Sequence, residues 1–264
     1  MFSIKKKKPI VTVFDIQGTI TTSNSFSNRS YDHYDLLRDL HEARKDKDVI
    51  GAVMRINSPG GSAGASSELA NEISAFKKEK SIVASISDLA CSGAYLAASA
   101  TSSIFCSGMG VVGSIGVIMQ IPDLTGASEK IGFGMRTVKS AKRKDIGNPF
   151  REMTEDERKF LEDLVDNTHL SFVEAISRNR DIDIEAAKEI ADGRIFNPEE
   201  AKSLKLIDEI GTFYDAMDFL LVKVGLLEDD VKIEYREEEG FISRILSRLS
   251  LQNMISSQSG LFLK

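Results

Sequence analysis

Short runs rich in valine and isoleucine alternate along the chain with stretches whose apolar residues recur at helical spacing, and this alternation narrows the fold more than any other feature. Ile10 to Phe14, Val49 to Ile56, Ile82 to Ile86 and Val111 to Ile121 read as strands, each bounded by Gly, Pro, Asn or charged residues. Between them, Leu36, Leu37 and Leu40 share one helical face, and Leu69, Ile73 and Phe76 another. Strands that feed helices in this way predict an α/β body. From Thr154 to about Leu226 the pattern turns mostly helical, and Pro198 directly after Asn197 fits a helix start. No linker composition interrupts the chain. The reading is therefore a single domain over 1–226, with the α/β body ending near 150 and helices after it, followed by an amphipathic segment and tail over 227–264.

Several classes are set aside by composition. A net charge of −6 argues against nucleic acid as a partner. Leu89 to Pro122 carries no charged side chain and is long enough to span a bilayer, but its serines and glycines would leave polar groups unsatisfied in lipid, so a buried strand-helix-strand interior is expected. Lys5 to Lys8 resemble the basic start of a signal peptide, yet Asp15 cuts the apolar stretch behind them, and no signal or transmembrane anchor is expected. Cys91, Cys106, His33, His41 and His169 offer neither zinc spacing nor a disulfide framework, so no metal and no cofactor is expected. The expected location is cytoplasmic, with peripheral membrane contact as the second reading. Phe241, Ile242, Ile245, Leu246 and Leu249 form an apolar stripe with Arg244 and Arg248 opposite. Its plain reading is packing on the body, and its second is peripheral membrane contact helped by Lys5 to Lys8.

Candidate chemistry gathers in three glycine-rich places. Asn57-Ser58-Pro59-Gly60-Gly61 follows a strand, where glycines let backbone amides approach a ligand. Cys91-Ser92-Gly93-Ala94 joins a strand to an alanine-rich helix, so Ser92 is either an ordinary N-cap or a nucleophile at a helix start. Gly113-Ser114-Ile115-Gly116-Val117 lies in the last apolar run. A serine nucleophile needs a base. The three histidines sit in polar helical stretches and read as surface residues. Lys139, Lys142, Arg143 and Lys144 form a basic cluster that composition alone reads as a solvated loop. Gly60-Gly61-Ser62-Ala63-Gly64 also fits a nucleophile elbow, but only His169 could complete that triad, and Ser74-Ala75-Phe76-Lys77 fits Ser-x-x-Lys by coincidence of a helix end.

Taken together, Asn57-Ser58-Pro59-Gly60-Gly61, Ser92-Gly93, Gly113-Ser114-Ile115-Gly116-Val117, Lys144-Asp145-Ile146 and Ala191-Asp192-Gly193-Arg194-Ile195-Phe196 occur in the order of the signal peptide peptidase A (protease IV) family. The resemblance runs from about Pro9 to Gly211. It implies a Clp-protease/crotonase-like α/β fold and a serine endopeptidase with a Ser-Lys dyad. Ser92 would be the nucleophile, Lys144 the base and Ser114 a support for the lysine, with the Gly61 and Gly93 amides as oxyanion hole. The implied substrates are hydrophobic peptides such as signal-peptide remnants or unfolded segments. A lysine base must be largely deprotonated near neutrality, and burial is the natural means; the resemblance implies that a homo-oligomeric ring, with each dyad shared between neighbours, provides it. Ala94 departs from the family, where a second glycine is usual, and the family's N-terminal membrane anchor is not seen. The alternatives are a catalytically silent scaffolding ring and a crotonase-type acyl-CoA enzyme, though nothing marks a coenzyme A site.

Overall fold

The computed structural model of the protein describes residues 7–22 and 33–236. Its centre is an eight-stranded sheet whose main path runs β6-β5-β3-β2-β1-β8. The strands are β1 (Ile10–Gln17), β2 (Val49–Ser58), β3 (Ser81–Cys91), β4 (Ser103–Cys106), β5 (Val111–Gly113), β6 (Ile195–Phe196), β7 (Glu209–Ile210) and β8 (Lys232–Arg236). All pairings are parallel except β5 with β6. The long β3 serves two neighbours in turn: Val83 to Ile86 pair with β4, and Leu89 to Cys91 with β5.

A parallel sheet must be covered on both faces, and the strands alternate accordingly. Phe14, Met54, Ile56, Ile82 and Ile86 point to one core, which is closed by α1 (His33–Lys45), α2 (Ala63–Glu79), α3 (Gly93–Ser99) and the later helices α5 (Glu155–Arg180), α6 (Ile184–Ile190) and α7 (Pro198–Ser203). Val11, Val13, Val53 and Val83, one residue out of phase, point to the other, where α8 (Phe213–Val224) supplies Met217, Leu220 and Leu221. Each such fully buried side chain contributes about 1.5–3 kcal/mol of transfer free energy. A short α4 (Thr125–Lys130) lies in the connection before α5. Helix starts are defined locally. Thr154 and Glu157 form a reciprocal capping box at α5, and Asn197 with Pro198 opens α7.

Three expectations are corrected. The run from Val111 to Ile121 is strand only to Gly113; Gly113 and Ser114 then take φ of 109° and 49°, which turns the chain out of the sheet, and Ile118 is left 83% exposed. β8 pairs with β1 from Lys232 to Arg236, so the sheet continues beyond Leu226. His33 is buried rather than superficial, its Nε2 2.9 Å from Glu68 Oε2. The apolar stripe beginning at Phe241 and the lysines Lys5 and Lys6 lie outside the described residues. Among the described residues no helix is long and apolar enough to cross a membrane, and no cluster of His, Cys, Asp or Glu could hold a metal ion.

Candidate active site

Because β3 ends at Cys91 and α3 begins at Gly93, Ser92 must make the whole strand-to-helix turn alone. It does so at φ 52° and ψ −125°. A side chain in such backbone costs about 1–3 kcal/mol, strain that the surrounding structure must hold. Two bonds hold it: Ser92 N–H donates to the Gly113 carbonyl at 2.8 Å, and Leu96 N–H donates to the Ser92 carbonyl at 3.0 Å. The half-buried hydroxyl makes no capping bond to the helix. An N-cap serine spends its oxygen on the helix; this one does not.

The glycine turn after β2 sits directly against that elbow. Gly60 has φ 94°, and a Cβ there would lie 2.6 Å from the Cys91 carbonyl oxygen and 2.7 Å from Gly93 N. A Cβ on Gly61 would lie 2.0 Å from the Ile20 carbonyl oxygen, so neither position has room for a side chain. The amides flanking Gly61 are occupied: Gly60 N–H donates to Ser58 Oγ at 3.1 Å, and Ser62 N–H to the Ile20 carbonyl at 2.8 Å. Gly93 packs against α2, where its Cβ would strike Ser66 Oγ at 2.0 Å and stand 3.6 Å from Gly61 N. The Gly61 and Gly93 amides are thus brought beside one another next to Ser92.

Ser114 belongs to a second layer of this arrangement. Its N–H donates to the Arg194 carbonyl at 2.7 Å, one residue beyond the Gly113 that receives Ser92 N–H. The Asp192 to Phe196 segment is shaped for that contact: Asp192 Oδ1 accepts from Arg194 N–H, Gly193 takes φ 88°, and the Phe196 ring fills the space a Gly113 side chain would need. Two glycine motifs far apart in sequence therefore meet as β5 and β6.

From Ser92 a groove of about 950 Å³ opens between α2 and α5. Its near end is lined by Gly61, Ser62, Ser92, Gly93 and Gly116, and its apolar surface by Ala70, Leu96, Val117, Ile118, Phe172 and Ala175. Ser74 and Lys77 also line it, but Lys77 Nζ donates to the Thr101 carbonyl at 2.9 Å, a use separate from any base for Ser74. Burial pulls the Lys77 ammonium below its ordinary range. None of His33, His41 and His169 lines the groove.

Lys144 lies elsewhere. Its residue is exposed and is not among those lining the groove, and among the described residues it makes no hydrogen bond with Ser92. Its neighbour Asp145 is firmly held: Arg151 Nε and Nη2 reach the two carboxylate oxygens at 3.0 Å each, while Arg151 Nη1 binds Glu157 Oε2 at 2.8 Å. Through Glu157 this clamp joins the lysine's loop to the capped start of α5. The Arg151 guanidinium, then the Lys139 ammonium, hold the Asp145 carboxyl well below the usual carboxylate range, and Arg151 with the Thr154 amide lowers Glu157 to about 2. Depressed carboxylates stabilise the fold above their unfolded pKa near 4, and that contribution disappears as pH falls toward the folded values. Thermal melts should therefore shift to lower temperature as pH falls from about 5 toward 2. Arg151→Gln should lower Tm at pH 7 and flatten this acid limb; an unchanged acid slope would refute the clamp. The Arg151 role was not drawn from the sequence, although the Thr154-x-x-Glu157 capping pattern beside it was there to be read.

The body and the elbow define a class, an α/β protein of the Clp-protease/crotonase type with a serine at a strained helix start. A solved membrane-bound stomatin-specific protease shares the fold with a TM-score of 0.53 at 14% identity, covering 89% of this chain and 100% of that one. The sequence profile of peptidase family S49 matches residues 74–226. A Methanocaldococcus jannaschii protein named as a protease is 36% identical over 200 residues, covering 76% of this chain and 64% of that relative. An Enterococcus faecium protein named as a signal peptide peptidase is 35% identical over 241 residues, covering 90% of this chain and 68% of its own length. The chain belongs to peptidase family S49.

Proposed function

We propose that the protein is a serine endopeptidase in which Ser92 attacks the scissile carbonyl of an apolar peptide. The single observation that carries this is the Ser92 elbow, a strained, uncapped hydroxyl at a helix start with the Gly61 and Gly93 amides beside it. In this reading the two amides receive the negative charge that develops on the carbonyl oxygen, aided by the positive end of α3. The peptide lies extended across the turn, its side chains meeting Leu96, Val117 and Phe172. Hydrolysis proceeds through an ester: the Ser92 oxygen bonds to the carbonyl carbon, its proton passes to the base, and the amine leaves carrying that proton. Water then releases the acyl group.

Lys144 is the proposed base, and its place outside the Ser92 groove requires that a neighbouring copy deliver it. Support comes from the segment that carries it. Ile118, Ile131, Phe133, Met135 and Val138 are all exposed between Ser114 and Met153, as is Leu164 on α5. So many exposed apolar residues in one segment suit an association surface. Packing a second copy there would bury the lysine and favour its neutral form. Ser114 then acts as a support for the incoming ammonium, and repetition of the contact closes a ring. The same fold without chemistry would make a scaffold, but the uncapped hydroxyl of Ser92 favours the enzyme. The test is incubation of the purified chain with quenched apolar peptides and mapping of the cut bonds by mass. Internal cleavage in the absence of metal or nucleotide supports the reading, and no cleavage across an apolar peptide library contradicts it.

A further inference from the structure

The groove beyond Ser92 changes character along its length. Small and apolar residues line it as far as Leu96 and Ala175, and then Lys77, Lys78 and Arg178 enter together with Asn71 and Asn179. No Asp or Glu lines it. This is unusual in a chain whose acidic residues exceed its basic ones, 40 to 34. The nearby charges are paired elsewhere: Arg180 binds Asp208 at 2.9 Å, and Glu79 is held by Arg44 at 2.5 Å. Lys78 and Arg178 have no carboxylate within 4.0 Å among the described residues. Lys77 is already committed to the Thr101 carbonyl. Glu174, one helical turn before Arg178, is exposed and outside the groove lining.

The cationic end stands at a measurable place. Lys77 is anchored at Thr101 and Asn179 Nδ2 bonds Ser99 Oγ at 3.0 Å, so this end of the groove lies at the far end of α3 from Ser92. The seven residues of α3, at a rise of about 1.5 Å each, put its far end roughly 10 Å from the nucleophile, and Thr101 stands two residues beyond. An extended peptide covers that in about four residues. Resting on the peptidase reading above, we infer that Lys78 and Arg178 select peptides carrying a carboxylate about four residues from the scissile bond, either a chain terminus or an acidic side chain. Such a peptide would be apolar at the cut and anionic at one end. The cations are exposed, so each adds a modest, salt-sensitive preference rather than an absolute requirement.

Binding can be separated from cleavage by using the Ser92→Ala protein and fluorescent apolar peptides read by anisotropy. In one arm a single Glu or its isostere Gln is walked along both sides of the cleavable bond; in the other a C-terminal acid is compared with the amide. A carboxylate about four residues away should tighten binding about five- to tenfold over its neutral isostere at low salt, and most of that gain should vanish at 0.5 M salt. The arm that shows the gain identifies the source of the carboxylate. The paired change Lys78→Gln with Arg178→Gln should bring the acid down to the affinity of its neutral partner. Equal affinity of acid and neutral peptides, or a preference that survives the paired change, overturns the inference. If the preference is found but the wild-type chain cleaves none of these peptides, the groove assignment stands and the peptidase reading fails.

Discussion

Ser92→Ala is expected to reduce cleavage of apolar peptides by about a thousandfold or more while leaving the melting curve nearly unchanged. The activity loss follows from the chemistry, because no ester can form without the hydroxyl. The unchanged stability follows from the structure: the hydroxyl makes no capping bond, and alanine is as strained as serine at φ 52°. Loss of such a group costs about 0.5 kcal/mol or less. Ser92→Gly sharpens the point, since glycine accepts this backbone freely and should be equally inactive yet no less stable. A Ser92→Ala protein that keeps most of its activity with its cut sites unchanged would remove Ser92 from the mechanism.

Mixing Ser92→Ala with Lys144→Ala should restore activity that neither variant has alone. If each site takes its serine from one copy and its lysine from the next, random assembly of equal amounts pairs an intact Ser92 with an intact Lys144 at about a quarter of the contacts. The expected recovery is therefore about a quarter of wild-type activity. Lys144→Arg should behave as Lys144→Ala does in this mixture, because a guanidinium stays protonated and cannot serve as base. A dyad built inside one chain would give no recovery, as every chain in the mixture carries its own lesion. Native mass measurement must show that hybrids formed; verified hybrids without activity would refute the shared dyad and leave Ser92 as nucleophile.

Much of the sheet was legible because β1, β2 and β3 alternate or run apolar over eight or more residues, with turn residues at their ends. β4 was not. Its four residues, Ser103 to Cys106, sit inside the uncharged run from Leu89 to Pro122, where no charge marks its limits. The end of β5 was missed for a different reason, since Val117 and Ile118 remain apolar after positive φ at Gly113 and Ser114 has already turned the chain outward. Apolar residues exposed on a surface and buried in a core look alike in sequence. At the site, the Ser92 turn and the glycines were readable locally because backbone crowding demands them. Lys144 was not, for a lysine in a basic loop carries no local mark of a role and was named only through family resemblance. The cationic end of the groove was equally hidden, because Lys78 and Arg178 are brought together by the packing of α2 and α5 around α3.

Peptide hydrolysis by the proposed route needs Ser92 to form a covalent bond, and the most direct measurement is the mass of the protein after reaction with an apolar peptide bearing a serine-directed phosphonate. One adduct per chain is expected, mapped by fragmentation to Ser92, with activity lost in proportion and no adduct on Ser92→Ala. An adduct on Ser62 instead, or full loss of activity with Ser92 unmodified, would contradict it.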